Sequence, residues 1–223
     1  MDKRTSGYYR EEFNKMAWIY DPAVSLIGAI VGGEKRLRER ILKLADIKNG
    51  DRVIDIGCGT GTSALIAAKY VGDKGEVVGI DFSDKMLDIA RMKLEEHGLR
   101  NVTFLKANAE EISYPDSYFD KVTVFAALHE MNHEGRINTL KEIYRLLKIG
   151  GNALIADYDL PEKIGGMLLI RFLLAMFEGD TAMDMIQRGI DSEIKEVGVN
   201  LRIVKKEIIL CGAGQVLLMK KEE

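Results

Sequence analysis

Gly57, Gly59 and Gly61 stand at alternate positions directly behind the apolar run Val53-Ile54-Asp55-Ile56. Asp81 closes a second apolar run, Glu76-Val77-Val78-Gly79-Ile80. Residues of these types at this spacing can hold a nucleoside. Glycine has no Cβ, so it accepts positive φ and lets a ligand approach the main chain closely. The helix expected behind the turn, over 63–70, adds the partial positive charge of its N-terminus. A carboxylate at the end of the second strand can accept from both hydroxyls of a ribose. The dinucleotide fingerprint would put its third glycine at Thr62, whereas the third glycine here is Gly61. The fit to a pyrophosphate binder is therefore imperfect. The acid alone does not separate the two cofactor classes.

A third segment separates them. Asn101-Val102-Thr103-Phe104-Leu105-Lys106 reads as a strand and runs into Ala107-Asn108-Ala109-Glu110, where a polar side chain followed by a small residue could meet the edge of an adenine. Pro115-Asp116-Ser117-Tyr118-Phe119-Asp120 leads into a fourth strand ending at Phe125-Ala126-Ala127-Leu128-His129-Glu130. Leu146-Leu147-Lys148-Ile149-Gly150-Gly151 reads as a turn ahead of a fifth strand. With these motifs in this order, the chain resembles the class I S-adenosylmethionine-dependent methyltransferases, in particular the ubiquinone/menaquinone biosynthesis C-methyltransferases. Two positions depart from the pattern: Asn108 stands where the family usually has aspartate, and Ile149 where it usually has proline. An asparagine oxygen still accepts from an adenine amino group, without charge assistance.

The resemblance implies S-adenosylmethionine as cofactor, S-adenosylhomocysteine as product and a small-molecule methyl acceptor. It implies that Asp55, Gly57, Cys58, Gly59 and Gly61 face the amino-acid end of the cofactor. Asp81 would hold the ribose, Phe82 and Met86 would border the adenine, and Asn108 and Ala109 would read its edge. Phe125 and Ala126 would offer main-chain carbonyls to the ammonium group, and Tyr20, next to Asp21, would close over the ligand. His129 lies just beyond the fourth strand. It is read either as a base or orienting group for the acceptor, or as a histidine satisfied by loop hydrogen bonds. His133 and Glu130 lie near it in sequence, but three or four convergent ligands are needed for a metal, and none is expected.

These residues need a scaffold, and the alternation of apolar strands with helical segments predicts one. The expected fold is α/β, a doubly wound, seven-stranded, mostly parallel sheet of Rossmann-like methyltransferase type with helices on both faces. Helices are expected over 34–45, 63–70, 84–97 and 135–147. Strands are expected over 52–56, 76–81, 101–106, 121–125, 152–157, 202–210 and 214–220. Only Cys211-Gly212-Ala213 separates the last two strands, so they must be antiparallel. A chain of 223 residues suits a single domain, 1–223. Residues 1–33, which carry Tyr8, Tyr9, Phe13, Trp18 and Tyr20, read as an N-terminal helical cap. Residues 160–199 read as a helical insertion or lid over the active site. Within it the run 167–177 is apolar on nearly all sides, and lid over a lipophilic acceptor, homodimer contact and membrane-surface contact are all open readings.

A net charge of -3 gives no broad pull toward nucleic acid, and no nucleic-acid partner is expected. Two cysteines, Cys58 and Cys211, form no disulfide pattern. No signal peptide and no run long enough to span a membrane are read in the sequence, so a cytoplasmic location is expected. Two other functions stay in view: a nicotinamide-dependent oxidoreductase, and a methyltransferase-like binding subunit without turnover.

Overall fold

The computed structural model describes residues 33–159 and 180–223. All but the last residue of the expected cap (1–33, with Tyr20 and Asp21), the apolar run 167–177 and the whole first half of the expected 160–199 insertion lie outside them. The chain divides into two compact units, which meet in sequence between Ala109 and Glu110.

The first unit contains α1 (Glu34–Leu42), β1 (Arg52–Ile56), α2 (Thr62–Val71), β2 (Glu76–Asp81), α3 (Asp84–His97) and β3 (Val102–Lys106). Its strands are parallel in the order β3-β2-β1. Ile54 lies beside Val78, and Gly79 beside Phe104. Parallel strands are covered on both faces, which is why β1 and β2 are near-continuous valine and isoleucine. The α2 sequence TSALIAAKYV is apolar over most of its circumference, and seven of its ten residues are buried. It joins Val53, Val77, Leu87, Ala90, Val102 and Phe104 in one core. α1 is fastened to α2 by Arg38, whose Nη1 donates to Ser63 Oγ at 2.8 Å. α3 begins where Ser83 Oγ accepts from the Met86 N–H, and ends at Gly98 in the left-handed conformation.

The second unit contains β4 (Phe119–Phe125), α4 (His133–Leu146), β5 (Leu147–Tyr158), α5 (Asp180–Arg188), α6 (Ile190–Val197), β6 (Leu201–Ile209) and β7 (Gly214–Lys221). The strand order is β4-β5-β7-β6. β4 and β5 are parallel, and β7 runs antiparallel to both β5 and β6. The short connection through a 3-10 turn at Leu210–Gly212 thus makes the antiparallel hairpin expected from its length. β6 is an edge strand whose exposed Arg202, Lys205 and Lys206 oppose pairing with another chain. Seven strands with helices between them form the mixed, mostly parallel Rossmann-like architecture expected from the sequence.

β5 differs most from expectation. β5 starts at Leu147, five residues before the predicted start, so Lys148-Ile149-Gly150-Gly151 lies inside the strand. Phe119 pairs with Leu147 and Lys121 already pairs with Asn152, so the intervening β5 residues bulge. Gly150 permits the bulge with φ 78°, and the Gly151 position has no room for a Cβ, which would lie 2.9 Å from the Asp120 carbonyl oxygen. In the described half of the insertion, α5 and α6 are amphipathic helices that pack on α4.

Their attachment is polar. Arg136 of α4 is fully buried, and its guanidinium donates to Glu193 of α6 and, at 2.6 Å, to Asp184 of α5. Nη1 donates to the Met131 carbonyl. His133 faces Glu193 Oε1 at 3.1 Å and Glu196 Oε1 at 3.0 Å. Among the described residues, no group of histidine, cysteine and carboxylate side chains has metal-binding geometry. No described helix is long and apolar enough to cross a membrane.

Candidate functional site

β1 hands the chain to the glycine turn at Ile56. Gly57, Gly59 and Gly61 take φ values of 67°, 53° and 78°, a region that side chains other than glycine avoid. The Cys58 N–H donates to the Ile80 carbonyl, and the Gly61 N–H donates to Cys58, which closes the turn. Gly61 is the N-cap of α2.

The glycines have different tasks. A Cβ on Gly61 would lie 2.6 Å from Phe104 Cζ and 2.9 Å from Ala90 Cβ, so this glycine lets α2 approach the sheet and α3. Among the described residues a Cβ on Gly59 would meet nothing within 4 Å, so packing does not require this glycine. Gly61→Ala should cost about 3 kcal/mol through overpacking and strain. Gly59→Ala should cost only about 1–2 kcal/mol of left-handed strain, yet lower cofactor affinity. Urea unfolding of both variants beside calorimetric titration separates these outcomes, and equal stability losses would contradict the division.

Asp81 stands across the turn at the end of β2. Its Oδ2 accepts from the Gly59 N–H at 2.8 Å, and its Oδ1 from the Ser83 N–H at 2.8 Å. Burial pushes its pKa up, against the opposing pull of the Ser83, Gly59 and Phe82 amides. Each oxygen retains a second lone pair. The Asp81 carbonyl accepts from the Ala107 N–H, so the turn after β3 is fixed to the same residue. Phe82, next to the carboxylate in sequence, is 36% exposed. Asn108 is exposed after β3, and Ala109 is half-buried. Asp55 is buried inside β1, and the Met86 side chain is buried at the start of α3. Lys93 braces the turn from α3 by donating to Thr60 Oγ1 and Thr62 Oγ1.

Cys58 lies between two acids. Burial first, then the charges of Asp55 and Asp81, push its thiol well above the ordinary value. The neutral thiol is the unreactive form.

In the second unit, Phe125 is buried at the end of β4 and Ala126 is exposed with φ 49°, a strained value for alanine. Its N–H donates to the Ala156 carbonyl of β5. Behind it, Leu128–Glu130 form one 3-10 turn. His129 is 3% exposed, and its Nδ1 lies 2.7 Å from Asp157 Oδ1 while its Nε2 lies 3.2 Å from Glu130 Oε1. The Tyr158 ring is 4.6 Å away between centroids. Asp157 is the residue that sequence reasoning passed over. It was legible only as the end of a strand, 28 positions from the histidine it meets.

The first unit thus brings together, on its own residues, a glycine turn, the Asp81 carboxylate with spare acceptor capacity and the partly exposed Phe82 ring. A parallel α/β sheet with this turn defines a nucleoside-binding protein of the doubly wound class. Comparison with known proteins narrows the class. A methyltransferase-domain family matches residues 47–191. A demethylmenaquinone methyltransferase of Listeria welshimeri is 35% identical over 149 residues, 67% of this chain and 61% of that protein. The Bacillus cereus demethylmenaquinone methyltransferase is 32% identical over 169 residues, 74% of this chain and 70% of its own length. This chain thus spans about three fifths of the Listeria relative.

Among solved structures, a SAM-dependent methyltransferase from Aquifex aeolicus superposes with a TM-score of 0.65 at 24% identity, over 82% of this chain and 88% of that one. A phosphoethanolamine N-methyltransferase of Haemonchus contortus, solved with S-adenosyl-L-methionine, gives 0.71 at 17% identity, over 96% and 60%. At these identities the two share the fold. The chain belongs to the class I S-adenosylmethionine-dependent methyltransferase family, related to the demethylmenaquinone methyltransferases. S-adenosylmethionine is the cofactor of that family.

Proposed function

We propose that the chain transfers the methyl group of S-adenosylmethionine to a small lipophilic acceptor, an electron-rich ring of the reduced-quinone type. The observation that carries this reading is the Asp81 carboxylate, which bridges Gly59 and Ser83 and keeps acceptor capacity toward the open side of the glycine turn. When bound, the cofactor supplies an activated methyl group on a positively charged sulfur. The chain's own residues then have to grip, orient and exclude water. Asp81 would fix the sugar, Phe82 and Asn108-Ala109 the base, and the backbone of Gly57–Gly61 the amino-acid end.

The relatives named for demethylmenaquinone support a quinone-type acceptor. Contact with a membrane surface, where a prenylated acceptor resides, belongs to the same proposal. The test is release of S-adenosylhomocysteine over a panel of reduced quinones, small amines and phenols. Turnover should be confined to the reduced quinones. Turnover with amines alone would assign a different acceptor class, and a rise in melting temperature with nicotinamide dinucleotide alone would reject the cofactor.

A further inference from the structure

We propose that Lys93 is a positioning residue for the cofactor: its ammonium spans Gly61 and holds the glycine turn in the shape that binds S-adenosylmethionine. This rests on the reading of that turn as the cofactor cradle. The turn needs an external hold, because glycine occupies three of the five positions from Gly57 to Gly61 and gives up the most backbone freedom on being fixed. The Cys58 N–H is fixed to Ile80, the Gly61 N–H to Cys58 and the Gly59 N–H to Asp81. None of these three bonds ties the turn to the first residues of α2.

Lys93 makes that connection. Its Nζ donates to Thr60 Oγ1 at 2.9 Å and to Thr62 Oγ1 at 3.2 Å, one hydroxyl on each side of Gly61 in sequence. An ammonium carries three N–H groups, so it can hold two acceptors at once. Thr60 is buried, and a hydrogen bond from a charged donor is stronger than a neutral one. The place of the lysine on its helix fits this task. Met86, Ala90 and Lys93 fall at i, i+4 and i+7, on one face of α3. Met86 and Ala90 are buried there, and a Cβ on Gly61 would lie 2.9 Å from Ala90 Cβ. The turn therefore rests on α3 one helical step before Lys93, and helix side chains lean toward the preceding turn.

The ammonium and the Asp81 carboxylate belong to one short segment, the end of β2 and the α3 helix that Ser83 caps. They approach the turn in a fixed relation, Asp81 on the Gly59 N–H and Lys93 on the hydroxyls either side of Gly61. Lys93 is not assigned a contact with the cofactor. It acts through Thr60 and Thr62 on the amides of Gly59 and Gly61. Without it the glycines sample other conformations, and affinity falls by the fraction of time in which the binding shape is populated.

The test uses the full chain and S-adenosylhomocysteine. K93M should weaken binding about 10-fold in calorimetric titration, as for a turn that holds the binding shape about a tenth of the time. K93R should recover part of that loss. The T60V/T62V variant, with Lys93 in place, should lose as much as K93M, and it carries the test alone if K93M fails to fold. The triple variant K93M/T60V/T62V should lose no more than either, because the three side chains act as one unit. In ¹⁵N spectra of ligand-free K93M the Gly59 and Gly61 amide signals should shift or broaden, and saturating S-adenosylhomocysteine should restore their wild-type bound positions. Wild-type affinity in K93M or in T60V/T62V overturns the assignment, as does a triple variant whose loss is the sum of the two. A lower urea midpoint with unchanged affinity of the folded protein would mark a merely structural brace and overturns it too. Wild-type protein that binds S-adenosylhomocysteine without moving the glycine-turn amides overturns the reading of the turn as the cradle instead.

Discussion

Replacing Asp81 by alanine should weaken binding of S-adenosylhomocysteine by about 2–4 kcal/mol, roughly 30- to 1000-fold, in calorimetric titration. The variant loses two charge-assisted bonds to the sugar hydroxyls. It also loses the acceptor that aims the Gly59 and Ser83 amides. The charge at this position is not retained for stability. Burial raises the pKa of Asp81 in the folded chain, so the folded state binds the proton more tightly than the unfolded state does. Stability contributed by this group therefore falls as pH rises from the unfolded value to the folded one, and ionised Asp81 costs folding energy at neutral pH. A cost of that kind is consistent with the proposed role of Asp81 in holding the ligand. The same shift makes cofactor affinity decline on acidification at a higher pH than it would with an ordinary aspartate. Wild-type affinity in Asp81→Ala would remove the residue from the site.

Arg136→Ala should destabilise the chain by about 3–5 kcal/mol in urea unfolding, because it strands buried Glu193 without its partner. The guanidinium is fully buried and Glu193 is 1% exposed, while Asp184 keeps access to water. Most of the loss should therefore trace to Glu193. Adding Glu193→Gln to Arg136→Ala should recover a substantial part of the stability, which a lost packing contact could not do. Binding of S-adenosylhomocysteine should be unchanged in the folded fraction, since none of these residues belongs to the glycine turn. A small stability loss, or no recovery in the double variant, would contradict this account of how α5 and α6 are attached to α4.

Much of this architecture could be read from the residues. β1, β2 and α3 have the predicted bounds, because strong local signals mark them: two valine–isoleucine runs, a Ser83 N-cap and a Gly98 C-cap. The short 211–213 connection dictated the antiparallel hairpin. The start of β5 was misread because Gly150-Gly151 carries the same signature in a bulge as in a turn. Asp81, Gly59 and Phe82 stood out in the sequence because their spacing is local to one strand–turn–helix. The Glu130–His129–Asp157 chain and the Arg136 cluster did not. Arg136 has the appearance of an ordinary exposed helix charge, and its partners Asp184 and Glu193 lie 48 and 57 positions away. No periodicity encodes contacts of that range.

The most direct test of the central claim, a nucleoside cradle built from the first glycine turn and Asp81, is a titration of ¹⁵N-labelled protein with S-adenosylhomocysteine. The amide signals of Gly57, Gly59, Gly61 and Ser83 should move together along one saturable curve. Saturable binding that leaves those four amides in place while others shift would contradict the account.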